Sequence, residues 1–75
     1  MEPLTLDVRP YHDRHEEPFE AIMSAVAGLA DGQDLMLINS FEPTPLFAVM
    51  RKRGFANTCA EVKPGEWHVR FTREP

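Results

Sequence analysis

One cysteine, Cys59, is all the chain has, so no internal disulfide can staple its 75 residues, and the fold must rest on an apolar core. A reducing, cytoplasmic setting is the expectation that follows. Cationic side chains are also in deficit, 8 Lys and Arg against 12 Asp and Glu for a net charge of −4. That balance argues against a nucleic-acid partner, whose affinity rests on neutralised phosphates. Long apolar runs are missing too. The longest, Ala25 to Ala30, falls far short of the roughly 20 residues that cross a bilayer, and the N-terminus shows no basic region followed by an apolar stretch, so no membrane partner is expected. No glycine-rich loop forms a phosphate cradle and no Ser, His and Asp form a nucleophile elbow, so the common catalytic motifs are absent.

What is there is 43% hydrophobic and 27% charged, the balance of a folded domain, and the length suits one domain over residues 1–75. Leu4, Leu6 and Val8 alternate with Thr5 and Asp7, predicting a strand over 4–8 with one buried face. Arg9 to Glu17 has no apolar period and reads as a surface loop. Pro18 then fits a first helical position, with Glu20 near the positive helix end. Phe19, Ile22, Met23, Val26 and Leu29 make a single stripe, so a helix is predicted over 18–30, stopped by Asp31-Gly32. Leu35 to Ile38 predicts a central strand over 34–39. Thr44 as N-cap and Pro45 at the first position predict a second helix over 45–53, with Arg51-Lys52-Arg53 at its negative end. Segments 55–62 and 67–71 flank Pro64-Gly65 as a hairpin.

The order β-α-β-α-β-β predicts an α/β two-layer sandwich, a four-stranded mixed sheet with two helices on one face. Its expected core is Leu6, Val8, Ile22, Val26, Leu37, Leu46, Val49, Trp67 and Val69. The densest polar cluster is the loop before the first helix. His12 and His15, with carboxylates near, suit a divalent metal; Arg9 and Arg14, beside a helix N-terminus, suit an anion or small ligand; a solvated loop with no specific task is the third reading. Cys59 has no Cys-x-x-Cys partner and no adjacent cation, so a buried, inert thiol is expected.

The residues Leu6-Asp7-Val8-Arg9-Pro10, Arg14-His15, Pro18-Phe19, Leu29, Gly32, Asn39, Pro43, Pro45-Leu46 and Trp67-His68-Val69-Arg70 resemble the DUF2249 family of small bacterial domains over nearly the whole chain. The resemblance implies kinship with the TusA and SirA-like sulfur carriers and the same two-layer fold. In those carriers a Cys-Pro-x-Pro motif opens the first helix; His15-Glu16-Glu17-Pro18 falls on it, with His15 in place of the persulfide cysteine. Imidazole cannot carry a persulfide, so no sulfur transfer and no enzyme activity are expected. Many family members carry an acidic-His-acidic-Pro segment after the second strand, where this chain has Ser40-Phe41-Glu42-Pro43, removing a second histidine that would join His15 in a metal site. The resemblance also implies a setting in redox, sulfur or nitrogen-oxide metabolism. The expected role is a small non-catalytic binding or protein-interaction module, a monomer or weak dimer with a protein partner. The alternative is a ligand or metal site centred on His15 at the first helix, holding an anion more tightly as the imidazole gains a proton. No cofactor is assigned.

Overall fold

The computed structural model describes all 75 residues. The elements run β1 (Leu4–Asp7), α1 (Arg9–Asp13), α2 (Phe19–Ala27), β2 (Leu35–Asn39), α3 (Thr44–Lys52), β3 (Phe55–Lys63) and β4 (Glu66–Arg73). They build one sheet in the order β1-β2-β4-β3. β1 and β2 are parallel, joined through α2, whereas β4 is antiparallel to both β2 and β3. This is the expected α/β two-layer sandwich with a mixed four-stranded sheet.

Side-chain alternation assigns the two faces of the sheet. Leu35, Leu37 and Asn39 on β2, Val69 and Phe71 on β4 and Phe55 on β3 are buried together with Ile22 and Val26 of α2 and Leu46 and Met50 of α3. Of the expected core, Val8, Ile22, Val26, Leu37, Leu46 and Val69 are buried, whereas Leu6, Val49 and Trp67 are only half-buried. Leu6 lies on edge strand β1, Trp67 sits at the sheet end opposite Asn39, and α3 is rotated so that Met50 rather than Val49 points inward.

Four expected assignments are corrected. The segment Arg9–Glu17 is not all loop: α1 forms there, because Pro10 presets helical φ in its first turn and the Arg9 N–H is taken by Asp7 Oδ1 at 3.0 Å. The helix expected over 18–30 ends three residues early. Gly28 N–H is shared between the Ser24 and Ala25 carbonyls and Leu29 N–H bonds Val26 O, the tightening that closes a last turn. Pro18 stands before that helix as its N-cap residue. In α3 the N-cap position belongs to Pro43, and Thr44, expected as a side-chain cap, gives its hydroxyl to Glu42 at 3.2 Å.

The β3–β4 hairpin turns at Pro64-Gly65, with Gly65 at φ +78°. Proline followed by a positive-φ glycine makes a type II turn, whose twist mismatches that of the strands it joins. A register shift between Glu61 and Lys63 lies beside it, where an extra residue adjusts the ladder.

Candidate functional site

Both crossing helices begin beyond the C-terminal ends of the parallel strands, which is where an α/β sheet leaves a crevice. Here that crevice is a pocket of about 570 Å³ between α2 and α3. Val8, Ile22, Leu37, Leu46 and Val49 give it apolar walls, Pro18, Pro43 and Pro45 frame it, and Phe19 and Phe41 stand at its rim. The two rings are 41% and 50% exposed, so the rim is open rather than sealed.

Three polar side chains line it: His12, Asn39 and Glu17. Asn39 is only 2% exposed, and burying an amide that deeply requires partners. Its Nδ2 donates to the Phe41 carbonyl at 3.0 Å, and its Oδ1 stands 2.7 Å from His12 Nε2. Because the carbonyl of Phe41 accepts only, the amide orientation is fixed and His12 Nε2 must carry the proton that Oδ1 accepts. The His12 ring also packs on Phe41, centroids 4.8 Å apart. His12 and Asn39 thus tie α1, β2 and the loop before α3 into one wall. Glu17 takes the Phe19 N–H on its Oε1 at 3.2 Å, answering one of the free amides of α2.

The four sequence-derived candidates do not converge. His12 lines the pocket. Arg9 lies on the opposite, open sheet face, paired bidentately with Asp7 and at 2.8 Å with Glu66. Arg14 bonds Glu16 and lies over the Tyr11 ring, 5.2 Å from its centroid. His15 is exposed and makes no side-chain hydrogen bond; its φ of +58° places it in the left-handed region. His15 N bonds His12 O and Glu16 N bonds Tyr11 O, the Schellman pattern that ends a helix, with His15 at the position usually given to glycine. No group of three or more His, Cys, Asp or Glu side chains comes together to hold a metal, and Phe41, which stands where many family members carry a histidine, packs on His12. Asn39 and Glu17 are absent from the sequence-derived candidates. The signal for Asn39 is its place on the buried phase of Leu35-Leu37-Asn39; Glu17 carries none.

The open face holds a separate ion-pair network. Arg9 keeps the Asp7 carboxyl below the usual carboxylate range, and Asp7 in turn holds the Arg9 guanidinium firmly protonated. His68 Nε2, 2.7 Å away, is the main cause of a lowered Glu66, aided by Lys63 and Arg9. Arg70 does the same for Asp34. Cys59, half-buried on the helix-side face of β3, has its thiol pushed up by burial and by Glu42.

A family profile described as an uncharacterized conserved protein (DUF2249) matches residues 5–73. The chain belongs to the DUF2249 family. No curated protein and no solved structure matches it. The DUF2249 match spans β1 to β4 and so includes every wall of the pocket. No helix of the chain is long and apolar enough to cross a membrane.

Proposed function

We propose that this DUF2249 chain is a non-catalytic binding module whose site is the His12–Asn39 pocket. The observation that carries the reading is a preformed apolar pocket of about 570 Å³, within the size range of small-molecule sites, with a buried asparagine hydrogen-bonded to a half-buried histidine on one wall. The geometry favours this pocket over His15, whose ring stands alone in solvent, and over docking on the open sheet face, whose charged groups are already paired with one another.

Kinship with the TusA and SirA-like carriers is part of the proposal, as shared fold without shared chemistry. The carrier cysteine position is His15, and the one thiol lies on β3 with its ionisation suppressed, the opposite of a reactive thiolate. A cytoplasmic setting in redox, sulfur or nitrogen-oxide metabolism belongs to the same proposal.

Amide-shift titration with benzyl alcohol tests it. Shifts should gather on Val8, His12, Ile22, Asn39 and Leu46, and Val49→Trp, which fills the cavity, should abolish them while the melting transition persists. Shifts that survive Val49→Trp, or that gather on residues 13–16, would move the site elsewhere.

A further inference from the structure

Resting on the pocket reading, we infer that the ligand is a small organic ammonium: an aliphatic or aromatic body for the apolar walls and a protonated amine at the rim. The inventory of the lining points there. No lysine or arginine lines the pocket, and its one formal charge is Glu17. The His12 Nε2–H is committed to Asn39 Oδ1, and Asn39 Nδ2 donates to Phe41 O. What Glu17 has to offer is a carboxylate oxygen left over after its bond to Phe19 N–H, so the rim asks for a donor.

The surrounding charges keep that sign. Arg14 is tied to Glu16, and Arg9 is tied to Asp7 and Glu66 on the far side of the sheet. Arg51 and Lys52 sit in the last turn of α3, away from the rim. The N-termini of α2 and α3 do face the pocket with positive dipole ends, each equivalent to about half a unit charge. Each meets a full carboxylate, Glu17 at α2 and Glu42 beside Thr44 at α3, so the net potential at the rim is negative. Phe19 and Phe41 add ring faces, on which an ammonium is better held than a neutral hydroxyl. An anion finds no lysine or arginine there and meets the Glu17 carboxylate instead.

The test compares benzylamine, benzyl alcohol and benzoate, which share one ring and differ in charge, by amide-shift titration of the whole chain at pH 7 and low salt. Benzylamine should bind about five- to tenfold more tightly than benzyl alcohol, the gain that one exposed ion pair plus a cation–ring contact supplies, and benzoate should bind weakest. Glu17→Gln, or added salt in the parent, should shrink the amine's advantage over the alcohol. Equal affinity of amine and alcohol, or tightest binding of benzoate, would overturn the ammonium assignment while the pocket stands. Silence of the lining residues toward all three would remove both.

Discussion

Asn39 is the residue on which the site depends. Its amide satisfies His12 on one side and the Phe41 carbonyl on the other, at a position only 2% exposed. Asn39→Ala should therefore cost about 1–3 kcal/mol by urea unfolding, the penalty of leaving buried polar groups unmatched; an unchanged midpoint would mean that the couple contributes nothing. His15 makes the contrasting case, since the structure uses its backbone and leaves its ring in solvent. A left-handed residue that carries a Cβ is strained, so His15→Gly should raise stability by up to about 1 kcal/mol and His15→Val should lower it. Loss of stability in the glycine variant would show that the imidazole has a task. Cys59 should react slowly with iodoacetamide in the folded chain and quickly in urea, because burial holds its thiol protonated.

At the scale of elements, the open sheet face carries a pH dependence of its own. Asp7, Asp34 and Glu66 all titrate below their ordinary values in the folded state. Near pH 4 the unfolded chain thus binds protons that the folded chain refuses, so their contribution is present above that pH and is lost as pH falls through the folded values. The urea midpoint should drop between pH 6 and pH 3, and Glu66→Gln, which disconnects Arg9, Lys63 and His68, should flatten that drop. β1, β4, α2 and α3 are legible in the sequence because each buries one face over several residues and so imposes a period, β2 as a short apolar run after a glycine turn, and β3 as the partner of β4 across Pro64-Gly65. Helix α1 is not: five residues with Pro10 and no buried side chain leave no repeat to read. Its consequence is large, since α1 carries His12 inward toward Asn39 while turning Arg14 and His15 outward. Four candidates adjacent in sequence are thereby sent to different surroundings.

For the whole molecule, a chain of this length buries little surface and has a few kcal/mol to spare. Leu37 is fully buried and also forms pocket wall, so Leu37→Ala should cost about 2–5 kcal/mol and remove most of the cooperative melting transition. The fold class was within reach of pattern alone, because a sheet with helices on one face is the arrangement that buries one stripe per helix. The pocket was not. Its walls come from Val8 just after β1, α1, the loop before α2, α2, β2, the loop after β2 and α3, and the parallel β1–β2 pairing brings those segments to one crevice. On the proposed function, ligand enters this crevice on the helix side of the sheet. Intermolecular NOEs between the benzylic protons of benzylamine and the methyl groups of the chain report its position. Contacts to Ile22, Leu37, Leu46 and Val49 are predicted; contacts to Met36 and Ile38 on the open face, or none to the four pocket residues, would contradict it.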